Sequence, residues 1–217
     1  QWTSAAELYE KSLDAARRNN EAPKTSEIQQ KIGLCYRRAS MQTDNREDFA
    51  ECMTSAMEAY SKAAKLYEES GGKQSEALRC LAIAYYAKYW LASISTEKKE
   101  LLDEYYELTS KILKLYAEAY DEEELGKTYN ELLMCLCESD SDRATLEWDW
   151  TKRNRMIMES LAYGERAINT FSQLGDNREL AKAYALTGKL YETARYLSES
   201  EDKKKEFGQK SLSHLQK

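Results

Sequence analysis

The chain of 217 residues has one histidine, His214, so a site built on paired histidines is excluded within it. Its five cysteines are Cys35, Cys52, Cys80, Cys135 and Cys137, an odd number at irregular spacings. No Cys-x-x-Cys pair occurs, and Cys135-x-Cys137 would set its thiols roughly 200° apart around a helix, a poor chelate. They read as reduced core cysteines of a cytoplasmic protein. Gly71-Gly72 is not followed by Lys-Ser/Thr, so it is a turn and no phosphate loop. The carboxylates fall on helix faces, without the Glu-x-x-His pairs of a di-iron bundle. The acidic cluster Asp121–Glu124 opens a helix, where negative charge complements the dipole. These residues offer no catalytic constellation, no metal site and no cofactor site, and the chain reads as a non-enzyme. Trp148 and Trp150 remain as candidate interface anchors, because residues two apart on a helix cannot both face one core.

The elements that position these residues are helices. One proline and eight glycines are too few turn residues for a strand-rich chain, and Ala, Leu, Glu and Lys fill the intervals. The formal net charge of −6 argues against a nucleic-acid partner. No apolar run approaches the ~20 residues that cross a bilayer, and the first residues do not read as a signal peptide.

Nine helices are expected in one continuous domain over 1–217. The first runs from about Thr3 to Asn20, with Leu8, Tyr9, Leu13 and Ala16 as its apolar stripe and Pro23 marking its end. Thr25 or Ser26 then caps a helix reaching Met41. A long helix follows the Thr43-Asp44-Asn45 turn and stops at Gly71-Gly72. The helix from about Ser75 to Ser93 is apolar on most faces and belongs near the centre. Further helices end near Tyr120, at the polar turn 139–142, at Leu174 and at Ser198. The last starts near Asp202 and is expected to open a further pair. Both chain ends read as cut from a longer array, or as capped by helices outside this sequence.

The helices align by one face. Tyr184-x-x-Thr187-Gly188-x-x-Tyr191 has counterparts in Gln29-x-x-Ile32-Gly33-x-x-Tyr36, Leu78-x-x-Leu81-Ala82-x-x-Tyr85 and Tyr129-x-x-Leu132-Leu133-x-x-Leu136. Their last positions are 49, 51 and 55 residues apart, a period that fits stacked helical hairpins. The second helices also align: Tyr60 with Ala63, Tyr163 with Ala167, Tyr9 with Leu13. A small residue at Gly33, Ala82 or Gly188 lets a neighbouring helix approach closely.

The pattern resembles the tetratricopeptide repeat, in a variant with helices longer than usual. The resemblance implies an all-α solenoid of antiparallel helical hairpins wound into a right-handed superhelix. It also implies a concave groove lined by the first helix of each hairpin. By position that groove takes Gln30, Leu34 and Arg37, then Arg79, Ile83 and Tyr86, then Asn130, Met134 and Cys137, and finally Ala185, Lys189 and Glu192. The family's carboxylate clamp for chaperone tails is not reproduced, since Gln30 and Leu34 stand where its Lys and Asn would be. The implied function is a protein-interaction scaffold that holds a helix or peptide partner. The alternative is a small-molecule sensor domain of a larger signalling protein.

Overall fold

A computed structural model describes residues 1–19, 21–71, 73–119, 121–133 and 150–217. Among the described residues the protein is all helical. The helices are α1 (Trp2–Arg18), α2 (Ala22–Ser40), α3 (Arg46–Ser70), α4 (Gln74–Leu91), α5 (Ser95–Ala119), α6 (residues 122–133), α7 (Trp150–Leu174), α8 (Asn177–Leu197) and α9 (Glu201–Leu215). Among the described residues strong helix–helix contacts join chain neighbours: α1 with α2, α2 with α3, α3 with α4, α7 with α8, and α8 with α9. No described helix is long and apolar enough to cross a membrane.

The ends of the helices have local causes. Asn45 caps α3 by accepting from the Glu47 amide at 2.8 Å, and Asp176 caps α8 by accepting from Arg178 and Glu179. Gly71 and Gly175 close α3 and α7 at φ of 63° and 71°, a left-handed conformation that a side chain would strain. The expected break at Pro23 is corrected: α2 already begins at Ala22, with Pro23 in its first turn. Proline is tolerated there because a first-turn N–H has no intrahelical acceptor. Thr25 and Ser26 accordingly do not cap. They are buried inside α2, and their hydroxyls donate to the carbonyls of Glu21 and Pro23.

The described chain divides into two compact units, Gln1–Ile112 and Leu113–Lys217, with the boundary inside α5. In the first unit Leu13 and Ala16 of α1 pack with Ile28 and Ile32 of α2 and Ala59 of α3. A second cluster joins Ala56, Tyr60, Ala63 and Tyr67 of α3 to Ala77, Cys80 and Ile83 of α4. Three consecutive α4 residues, Ala82, Ile83 and Ala84, are all buried, so α4 is covered on several sides, as its composition suggests. The tyrosines mostly pack: Tyr86 lies 6.2 Å from Tyr89 and 5.6 Å from Tyr105, ring centre to ring centre.

The second unit repeats the α1–α3 pattern in α7–α9. Tyr36 Oη donates to Glu10 at 3.1 Å, and Tyr191 Oη donates to Glu165 at 2.8 Å, each pair 26 residues apart. Glu10 and Glu165, like Tyr36 and Tyr191, lie 155 residues apart. A Cβ added to Gly33 would meet the Tyr60 ring at 2.8 Å, and one added to Gly188 would meet Leu215 at 2.8 Å. Tyr60 and Leu215 are related by the same offset. Ala6, Leu13 and Ala16 are buried, as are their counterparts Leu161, Ile168 and Phe171. This register shifts the second-helix alignment by one: Leu8, not Tyr9, corresponds to Tyr163. It also corrects the reading of the last helix. Rather than opening a new pair, α9 closes one with α8, because Gly188 admits Leu215. In α6 the notch is Gly126, where an added Cβ would meet Thr170 and Phe171 of α7 at 2.9 Å, and it precedes the expected Leu132-Leu133.

The two glycine notches differ in what fills them. Tyr60 is 2% exposed and cannot withdraw, whereas Leu215 is 55% exposed and can. Gly33→Leu is expected to destabilise the fold by about 1–3 kcal/mol through overpacking. Gly188→Ala should cost less than about 1 kcal/mol. Urea unfolding of both variants checks this, and equal losses would contradict the assignment of Tyr60 as the rigid partner.

Candidate interaction surface and an acidic cleft

The first helices of the hairpins carry the residues assigned to the groove. On α2, Gln30, Leu34 and Arg37 follow one another at helical spacing along one side. Leu34 is exposed, at 38%, and Gln30 and Arg37 are half-buried. Gln30 is held by Tyr67 of α3, whose hydroxyl donates to its Oε1 at 2.8 Å. Burial raises the Tyr67 phenol far above its ordinary pKa, so it remains a donor. Beside it, Lys73 pairs with Glu27 at 2.8 Å, and that contact holds the Glu27 carboxyl below its ordinary range.

On α8, Lys189 takes the repeat position of Leu34 and is likewise exposed, with Ala185 exposed and Glu192 half-buried beside it. Glu192 pairs with Arg195 at 2.6 Å. The second set is placed differently. Arg79 is half-buried, but Ile83 and Tyr86, expected on the groove wall, belong to the core at 8% and 2% exposure. The reason is the apolar character of α4, which is packed on more sides than one. Asn130 is also buried, and its amide donates to the backbone carbonyl and the carboxylate of Glu179 at 3.1 and 3.0 Å. It ties α6 to the start of α8. Met134, Cys137 and Trp148 lie outside the described residues; Trp150 opens α7, and its side chain is likewise not described.

The acidic residues at the start of α6 have local roles. Asp121 accepts from the Glu124 amide at 3.1 Å, and Lys127 pairs with Glu123 and Glu124 at 2.6 and 2.9 Å. Among the described residues no group of three His, Cys, Asp or Glu side chains is arranged to hold a metal ion.

Two polar constellations are visible only in three dimensions. The first is a cleft of about 370 Å³ between the start of α1, the end of α2 and the start of α3. Asp48, Glu51, Cys52 and Ser55 of α3 face Tyr36, Thr43 and Thr3 across it. Their spacing of three, one and three puts them on one helix face, the signal that sequence reading could have used. Burial raises the Cys52 thiol, and the neighbouring Glu51 and Asp48 raise it further. Burial, followed by the Glu10 carboxylate, raises Tyr36. The cleft therefore presents two carboxylates, several hydroxyls and a protonated thiol, which suits a small polar cation.

The second constellation is in the other unit. Glu165 of α7 accepts from Tyr191 of α8 and lies 3.3 Å from His214 Nε2 of α9. His214 Nδ1 lies 2.7 Å from the Lys210 carbonyl, and the ring is 5.3 Å from Tyr191 and 5.8 Å from Tyr184. This contact clasps three helices. The first unit has the Tyr36–Glu10 bond, but Ala59 stands at the position of His214.

Among the described cysteines Cys52 is half-buried, while Cys35 and Cys80 are buried. Iodoacetamide at pH 8 should label Cys52 first of these three, more slowly than a free thiol because the thiolate is the nucleophile. The rate should keep rising above pH 9, beyond the ordinary thiol range. Peptide mass spectrometry checks the order; labelling at Cys35 before Cys52 would contradict this packing. Neither a protein-family model nor a curated protein sequence matches this chain.

Proposed function

We propose that this protein is an interaction scaffold: a tetratricopeptide-like array of long helical hairpins, wound as a right-handed solenoid, that holds a helix or extended peptide of a partner protein. The supporting observation is that Leu34 and Lys189 occupy the same repeat position in the two units and are both exposed. Around them Gln30 and Arg37, or Ala185 and Glu192, form an outward row on a first helix. Such a row offers one apolar or aliphatic contact flanked by polar groups, which suits side chains of a peptide at alternate or helical spacing. Substitution at exposed positions leaves stability within about 0.5 kcal/mol, so the row can be tested without unfolding the chain. Leu34→Asp and Lys189→Glu are each expected to lose protein partners that wild type captures, with unchanged circular dichroism. Identical capture by wild type and both variants would remove this row from the interface.

The acidic cleft favours a second reading, in which the chain senses a small ligand. Asp48 and Glu51 beside the Tyr36 ring fit a diamine or amino alcohol. A thermal-shift series with such amines should raise Tm for wild type and not for Asp48→Asn, in proportion to the logarithm of ligand concentration. No shift at millimolar amine would exclude this reading.

A further inference from the structure

The 155-residue correspondence between α1–α3 and α7–α9 gives the acidic cleft a counterpart in the second unit. Tyr36 of the cleft corresponds to Tyr191, Glu51 to Glu206, Cys52 to Phe207 and Ser55 to Lys210. In the second unit the chain itself fills that place. The Phe207 ring lies 6.1 Å from the Tyr191 ring, centre to centre. Lys210 Nζ lies over the same ring, 5.5 Å from its centre, and 2.8 Å from Glu206. An ammonium held between a tyrosine face and a carboxylate, with an aromatic ring beside it, is what this helix arrangement accommodates.

The first unit keeps the receiving groups and lacks the occupant. Tyr36 and Glu51 are retained, but Cys52 is far smaller than a phenylalanine, and Ser55 carries no charge. The cleft of about 370 Å³ opens against these two shorter side chains. Asp48 stands where the second unit has Lys203, so the place is more acidic as well as emptier. Among the described residues no lysine or arginine pairs with Asp48 or Glu51. The opening does not depend on the first residues of the chain. Met158, the counterpart of Thr3, is 55% exposed although α6 precedes α7.

We propose that the cleft binds a small primary amine bearing an aromatic ring, which supplies what Phe207 and Lys210 supply in the second unit. The ammonium sits over Tyr36 and pairs with Glu51, and the ring takes the space beside Cys52. Phe207 and Lys210 are three residues apart on one side of α9, so a short chain is enough to join such a ring to its nitrogen. The amine is charged at neutral pH, as a lysine side chain is. A cleft beside shortened side chains has unmade contacts on its walls, and a ligand of matching shape makes them. The ligand so defined rests on the sensing role proposed above and narrows it, favouring aromatic amines over diamines and simple amino alcohols.

The probe is phenethylamine. An NMR titration of the isotope-labelled full chain should show saturable shifts at the amides of Tyr36, Cys52 and Ser55 and none at Tyr191, with a Kd of about 1 mM or tighter. Putrescine and ethanolamine, which lack the ring, and phenethyl alcohol, which lacks the charge, should each bind at least about tenfold more weakly. Glu51→Gln should weaken phenethylamine at least about tenfold. Because Glu51 is exposed, circular dichroism of this variant should match wild type. Cys52→Phe combined with Ser55→Lys rebuilds the occupant of the second unit and should abolish binding. Phenethylamine binding that survives either change overturns the assignment. Equal affinity for phenethylamine and putrescine overturns the aromatic ligand and leaves the sensing role standing. If none of these amines binds at millimolar concentration, both fall.

Discussion

The fold depends on a recurring steric device: at four glycines a neighbouring helix comes close because no side chain stands in the way. Gly33 accommodates the ring of Tyr60, Gly126 the Thr170–Phe171 pair, Gly164 the side chain of Thr187, and Gly188 that of Leu215. At each of these places an added Cβ would sit inside a neighbour, so ring and methyl groups are packed against backbone. Interiors at that density transmit small changes. The hydrogen bonds from Tyr36 to Glu10 and from Tyr191 to Glu165 then fix the rotation of one helix against the preceding one. A tyrosine is suited to this because its ring fills space while its hydroxyl reaches a partially wet acceptor.

The same constraint explains what could be read from the linear chain. Helix content and most boundaries were legible, because Asn45, Gly71, Gly175 and Asp176 act through local chemistry. The repeated Gly-x-x-Tyr face was legible for the same reason, since its periodicity is a property of a single helix. The one-residue slip between Tyr9 and Tyr163 was not. Neighbouring residues on the second helix of a hairpin can both be apolar, and only the contact partner decides which one faces the preceding helix. Pro23 misled because a proline stops a helix from within but is accommodated at its start.

The groove was less legible than the fold. A position that lines a surface in one repeat is interior in another when the helix carrying it is apolar all round. Ile83 and Tyr86 on α4 share a repeat position with Leu34 and Arg37 on α2, yet they join the core. The acidic cleft escaped notice for a different reason. Asp48, Glu51 and Ser55 look like an ordinary wet helix face, and only the approach of Tyr36 and Thr3 from two other helices makes an open cleft beside them. The clasp of Glu165, Tyr191 and His214 likewise brings together side chains from three helices.

Among the described residues the strong helix contacts join chain neighbours, and this bears on how the molecule assembles. Each of these contacts closes a short loop, so the entropic barrier to forming it is small. Stability in such a chain is close to a sum over hairpins and their junctions, which allows parts of it to open separately. Helix α9 is attached chiefly through α8 and has just one fully buried residue, Ser211. Amide protons should therefore exchange faster along α9 than along α3, which packs against two helices and buries seven residues, from Met53 to Tyr67. A chain built this way can give up one end to a partner while the hairpins at its centre remain folded.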